Sequence, residues 1–153
     1  MDRHTLNNTL NSAEVACVQS GVRFTQKRKN VLNTLLQAEK PLSAYEVAAT
    51  YGELFGESIQ IMSVYRMLDF LIQEDLVHKL SSLNKYITCS HILCDHEHNI
   101  PQFLICEQCE VVQEIGVKKN IIEALQQSVE SAKFQLASPQ LELRGTCKAC
   151  QDS

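Results

Sequence analysis

The sequence predicts an α+β fold in two parts, an N-terminal winged helix-turn-helix domain and a small C-terminal α/β domain. Three observations carry this. Helix-period apolar patterns fill residues 5–74, and two short alternating runs follow at 76–80 and 85–89. Two Cys-x-x-Cys pairs, Cys106-Glu-Gln-Cys109 and Cys147-Lys-Ala-Cys150, then border the last predicted elements. The expected boundaries are 1–89 for the first domain, 90–99 for a connector and 100–153 for the second.

Residues 5–19 carry Leu6, Leu10, Val15 and Val18 at loosely helical spacing and stop at Gly21. Thr25 is placed to cap a second helix holding Val31, Leu32, Leu35 and Leu36, which ends before Pro41. Ser43-Ala-Tyr-Glu46 spells a capping box, in which serine and glutamate satisfy free amides at a helix start. That third helix is expected to run to Phe55-Gly56. The fourth, from Ser63 to Glu74, has Val64, Met67, Leu68, Leu71 and Ile72 on one face and Tyr65, Arg66 and Asp69 on the other. Leu76–Leu80 and Lys85–Cys89 alternate like two strands joined by the polar turn Ser81-Ser-Leu-Asn84. Helices followed by such a hairpin place residues 63–74 in the recognition position of a winged helix. The same pattern also suits a helical core with a hairpin and no role on DNA.

Beyond a His/Cys-rich connector, Phe103–Cys106, Val111–Ile115 and Leu141–Arg144 read as short strands. Residues 118–132 read as an amphipathic helix with Ile121, Ile122, Leu125 and Val129 on its apolar side. So small a domain rarely holds together on its core alone. Two Cys-x-x-Cys pairs offer four thiolates, the closed tetrahedral shell of a structural zinc site. Their 37 intervening residues exceed the spacing of a compact zinc ribbon, so the ion is expected to staple the first hairpin of this domain to its C-terminal end. A redox pair or disulfides are the competing use of the same thiols. Cys17, among apolar neighbours, is expected in the core, and His4 in a frayed terminus.

A hydrophobic fraction of 44% suffices for packed cores, so disorder is not the default. No segment reads as a signal peptide or a membrane span, and seven cysteines without an export signal point to a reducing cytoplasm and to metal binding. The net charge of −4 gives no global hint of nucleic acid. Its distribution is more useful, because it shows where any such contact would lie: residues 1–85 hold nine Lys/Arg and nine Asp/Glu, residues 86–153 five and nine. DNA contact is therefore to be sought in the first, neutral half.

Gly21-Val-Arg-Phe-Thr-Gln-Lys-Arg28, Ser43-Ala-Tyr-Glu46, Ser63-Val-Tyr-Arg-Met-Leu-Asp-Phe-Leu71, Leu76-Val-His-Lys79 and Phe103-Leu-Ile-Cys-Glu-Gln-Cys109 together resemble the ferric uptake regulator superfamily. The likeness runs from about residue 12 to residue 150 and is greatest to its zinc-uptake branch. It implies a homodimeric, metal-dependent transcriptional repressor that binds double-stranded operator DNA and represses zinc-uptake genes. No enzyme activity, small-molecule substrate or membrane is expected: a thioredoxin-like site needs one solvent-facing pair at a helix start, whereas both Cys-x-x-Cys pairs border predicted strands, and no stretch approaches membrane-span length. Regulators of the same fold that sense iron, manganese or peroxide are the alternative.

The resemblance further implies two zinc ions per subunit, one structural and one regulatory. The regulatory ligands implied are His78, Cys89, Glu114 and a connector histidine, His98 in preference to His96. Asn99-Ile-Pro-Gln102 interrupts the family's usual histidine run there, and Cys94 and His91 lie nearby. One thiolate, two imidazoles and a carboxylate suit Zn²⁺, whereas iron sites of the family lean on His and carboxylates. Tyr65 and Arg66 are the expected base contacts, with Arg23, Lys27 and Arg28 on phosphates.

Overall fold

The computed structural model describes residues 1–90, 92–93, 101–137 and 140–153. The chain divides into two compact units, Met1–His96 and Glu97–Ser153. The connector candidates His91, Cys94, His96 and His98 lie outside the described residues.

The first unit is helical with a terminal hairpin. Helix α1 (Arg3–Gln19) opens at Asp2, whose carboxylate accepts from the Thr5 amide at 2.9 Å. His4 therefore belongs to a capped first turn. The buried face of α1 is not the expected one: Thr9, Leu10, Ala13 and Cys17 are buried, while Val15 and Val18 are 55% and 69% exposed. Spacings of three and four link Leu10, Ala13 and Cys17 on one helix face. Cys17 is in the core as expected. Helix α2 (Gln26–Gln37) is capped by the Thr25 hydroxyl, which accepts from the Arg28 amide at 3.3 Å, and it buries Val31, Leu32, Leu35 and Leu36.

Helix α3 (Ala44–Phe55) starts on the capping box. The Ser43 hydroxyl accepts from the Glu46 amide at 3.2 Å, and the Glu46 carboxylate accepts from the Ser43 amide at 3.1 Å. Gly56 stops it with φ of 67°, a left-handed conformation that glycine adopts without Cβ strain. Helix α4 (Ile61–Gln73) begins two residues before the expected Ser63 and buries Val64, Leu68 and Leu71 completely. Each such side chain contributes roughly 1.5–3 kcal/mol by leaving water. These three fix which face of α4 turns away from the core.

Strands β1 (Val77–Leu80) and β2 (Lys85–Thr88) pair antiparallel, with Asn84 taking the positive φ of 51° that the turn needs. A bridge between Leu42 and Tyr86 ties the hairpin to the entry of α3. Helix-turn-helix plus hairpin is the winged-helix fold.

The second unit is built on β3 (Gln102–Cys106), β4 (Val112–Ile115) and β5 (Leu141–Gly145), in the order β4-β3-β5. Strand β4 is antiparallel to β3, whereas β5 runs parallel to it. Helix α5 (Lys119–Ser131) connects the two and buries only Ile122 among its residues. Ile121 and Leu125, expected on its packed side, are exposed, as is Phe134 just beyond it. A short α6 (Lys148–Gln151), absent from the sequence reading, follows β5.

Candidate metal centre and nucleic-acid interface

Parallel pairing assembles the cysteine cluster. Strands that run the same way end at the same edge, so β3 and β5 deliver their two Cys-x-x-Cys pairs side by side. Cys106 is the last residue of β3 and registers with Gly145, the last of β5, and the Glu107 amide donates to the Gly145 carbonyl at 2.9 Å. Past Cys106 the chain folds into a knuckle. The Cys106 amide donates to the Val111 carbonyl at 2.9 Å, the Glu110 amide to the Cys106 carbonyl at 3.0 Å, and Glu110 takes a φ of 61°. Past β5, Cys147 caps α6 and the Cys150 amide donates to its carbonyl at 3.0 Å.

The ligand sulfurs of Cys106, Cys109, Cys147 and Cys150 all lie within 4.8 Å of one another. Those of Cys109 and Cys147 are 3.7 Å apart. A disulfide needs about 2.05 Å, whereas a tetrahedral ion with Zn–S bonds of about 2.3 Å separates its sulfurs by about 3.8 Å. The spacing fits four thiolates around zinc and not two disulfides. The amides of Cys147 and Cys109 hold the Cys106 thiol down to about 6, the Cys147 N–H reaching its sulfur at 3.4 Å. The thiols of Cys147 and Cys109 push Cys150 up to about 12. For Cys109, which is exposed, the Val111 amide pulls downward, but partial desolvation and the thiols of Cys106 and Cys147 prevail and the value is raised. Cys106 thus ionises readily while Cys109 and Cys150 resist, because neighbouring sulfurs hold their protons in hydrogen bonds until a cation replaces them.

His78 and Cys89 come together in the first unit. Val77 pairs with Thr88, and the Cys89 amide donates to the Leu76 carbonyl at 2.9 Å, which sets Leu76 opposite Cys89. Alternation then puts His78, two residues on, on the same face of the hairpin as Cys89. Their ligand atoms lie within 4.8 Å of one another. Cys89 is buried, and the Nε2 of His78 is shielded from solvent. A thiol and an imidazole this close could supply two donors to a mixed S/N metal shell. Glu114 lies in the second unit, on β4 opposite Phe103.

Helix α4 presents Met62, Arg66 and Asp69 to solvent. Tyr65 is half-buried and packs against the edge of the core, so it is less detached than the helical pattern suggested. Met62 went unnoticed in the sequence because the helix was expected to start one residue after it. Near the start of α2, Arg23 and Lys27 are exposed, while Arg28 is half-buried with its guanidinium over the Phe70 ring. Arg28 also donates from Nη1 to the Arg23 carbonyl.

The fold and these sites can be set beside known proteins. A solved zinc uptake regulator complexed with zinc and DNA superposes with a TM-score of 0.83 at 29% identity, covering 97% of this chain and 96% of that one. A crystal structure of holo XcZur gives 0.77 at 33% identity, covering 94% and 97%. The zinc uptake regulation protein of Escherichia coli K12 is 31% identical over 150 residues, 98% of this chain and 85% of the relative. The peroxide-responsive repressor PerR of Staphylococcus aureus is 28% identical over 138 residues, 88% and 86% of the two chains. The profile of the ferric uptake regulator family matches residues 19–144, and with that match, on a winged helix followed by a four-cysteine α/β unit, the chain belongs to the ferric uptake regulator family.

Proposed function

We propose that this protein is a zinc-responsive transcriptional repressor that binds operator DNA as a zinc-loaded homodimer and represses zinc-uptake genes. The observation that carries the zinc reading is Cys89 beside His78 at the foot of the wing. A thiolate in a regulatory shell favours zinc over the iron or manganese that His and carboxylates would hold. The relatives named for zinc uptake support the same reading.

Cys106, Cys109, Cys147 and Cys150 would hold a structural zinc. His78, Cys89, Glu114 and one of His98 or His96 would hold a regulatory one. Bound there, the ion supplies a cross-link and no chemistry. The residues do the rest. His78 and Cys89 belong to the wing hairpin, so whatever they grip fixes the position of the winged helix relative to their other co-ligands. A dimer whose two recognition helices are held at one spacing matches a two-fold operator. Without that grip only a fraction of molecules is competent for DNA, and apparent affinity falls in proportion.

The second unit supplies the dimer surface in this reading. Ile121, Leu125 and Phe134 expose apolar area that a lone small domain has no reason to display, and a second copy of the chain is the occupant proposed. Among the described residues no helix is long and apolar enough to cross a membrane, and none of the described cysteines is in a disulfide. A cytoplasmic regulator that binds rather than catalyses is the reading that the relatives named for zinc uptake regulation support.

A regulator of peroxide or iron is the second reading, supported by the 28% identity to PerR. Zinc content of the purified protein before and after mild chelation, with DNA binding followed through re-addition of zinc, iron or manganese, tests both. Zinc-specific recovery is expected; recovery with iron or manganese alone would select the second reading.

A further inference from the structure

Along α4 the residues at 62, 65, 66 and 69 recur at spacings of three and four, which makes them one stripe opposite the buried Val64, Leu68 and Leu71. Met62 heads the stripe and is 61% exposed. It sits in the first turn, and the preceding Gln60 supplies no side-chain cap over that turn. Recognition helices offer their N-terminal residues to base edges, so Met62 belongs to the turn that leads into the groove, followed by Tyr65 and Arg66 in the next.

We infer that Met62 is a specificity-determining residue that packs its thioether against the C5 methyl of a thymine. This rests on the DNA-binding reading above. Methionine donates no hydrogen bond and its sulfur accepts only weakly. Of the groups in the major groove, the thymine methyl alone gains from such a neighbour, since amino groups, carbonyls and ring nitrogens would lose water for nothing in return. Its unbranched, flexible chain also adapts to a methyl whose position varies with local groove shape. Together with the polar Arg66 one turn further on, an apolar Met62 would read two different chemistries along one helix face.

The experiment starts from duplexes that the zinc-loaded wild-type protein selects from a randomised library. Each thymine of the selected duplex is replaced singly by deoxyuridine, which removes only the methyl. Wild type is expected to lose roughly fourfold in affinity at one thymine per half-site, the worth of one buried methyl. Met62→Ala is expected to be insensitive at that position alone, and Met62→Leu to restore the sensitivity. Met62 is exposed, so both variants should melt like wild type. Uracil sensitivity unchanged in Met62→Ala, or absent throughout in wild type, overturns the inference and leaves DNA binding standing. Failure of the wild type to select any sequence with zinc overturns the DNA-binding reading and this inference with it.

Discussion

The guanidinium of Arg28 lies 3.8 Å from the centroid of the Phe70 ring, which ties the first turn of α2 to the recognition helix. A planar cation over a ring face is held by electrostatics and by stacking. Arg28 therefore has structural work besides the phosphate contact read from the sequence. Arg28→Lys keeps the charge but loses the fork and the stack. It is expected to lower the stability of the winged-helix unit by about 0.5–1 kcal/mol, measured by denaturant unfolding of the zinc-loaded protein. A variant as stable as wild type would mean that the stack on Phe70 adds nothing to stability.

Replacement of Cys150 by serine is expected to unfold or de-dimerise the second unit. A structural zinc is linked to folding by roughly 10–16 kcal/mol in small zinc peptides, against a whole-domain stability of about 5–15 kcal/mol. Sedimentation and zinc analysis decide it. A zinc-loaded, cooperatively folding Cys150→Ser dimer would rule the four-cysteine site out.

The same site should release protons when it loads. Cys150, pushed up to about 12, and Cys109, raised from its ordinary value, both carry protons at pH 7 until a cation displaces them. Affinity for zinc should thus rise with pH and fall on acidification. The fall should steepen below about 6, where Cys106 also takes up its proton. Calorimetry in buffers of different ionisation enthalpy is expected to count at least the two protons of Cys109 and Cys150. Release of none would contradict four thiolate ligands.

Much of this was legible in the chain. The capping box at Ser43 and Glu46 and the breaks at Gly21 and Gly56 act locally, within a turn of the residues that spell them. Pairing of β3 with β5 is different, since the strands are more than 30 residues apart and nothing in either encodes a parallel partner. The cysteines gave the outcome without the route. Helix α1 misled because Ala13 and Cys17, small and mildly apolar, fill the core face while Val15 and Val18 face outward. Helix α5 misled because Ile121 and Leu125, which share its apolar pattern with the buried Ile122, stay exposed within one chain. The regulatory set was read from resemblance alone, and its connector histidines lie outside the described residues.

Glu46 offers a pH test of the winged helix. The Ser43 amide, with the Ser43 hydroxyl and Lys85 adding, holds its carboxyl below the ordinary range, against a smaller upward push from burial. A folded value below the unfolded one stabilises fully above the unfolded value and is lost as pH falls through the folded one. Ser43→Ala is expected to cost about 0.5–2 kcal/mol. Glu46→Gln should flatten the acid limb of the stability profile; an unchanged limb would mean that the capping carboxylate is not linked to folding.

Cys89→Ser and His78→Ala are expected to stay folded and dimeric, keep the tightly held zinc, and fail to bind operator on zinc addition. Both lie at the foot of the wing, in a different unit from the Cys-x-x-Cys pairs. His98→Ala and His96→Ala then separate the connector candidates, since only a true ligand should weaken the regulatory site strongly. Zinc-dependent DNA binding of all four variants is the measurement. Wild-type behaviour in both Cys89→Ser and His78→Ala would remove the regulatory assignment.

Arg66→Ala should leave both zinc sites intact and lower operator affinity by about 1–3 kcal/mol per half-site, the range for a good base-edge contact. Arg66 is exposed on α4, on the side away from Val64, Leu68 and Leu71, where its removal disturbs no packing. A guanidinium there can serve either a purine edge or a phosphate, and the two leave different traces. Loss of a base contact relaxes preference at one position. Loss of a phosphate contact weakens all sequences alike and reduces the salt slope by about one. Affinities for the selected duplex and its single-base variants, at two salt concentrations, separate them. We expect relaxed preference at one position with little change in salt slope. Full wild-type affinity in Arg66→Ala would mean that α4 does not read DNA, and the repressor reading would lose its main support.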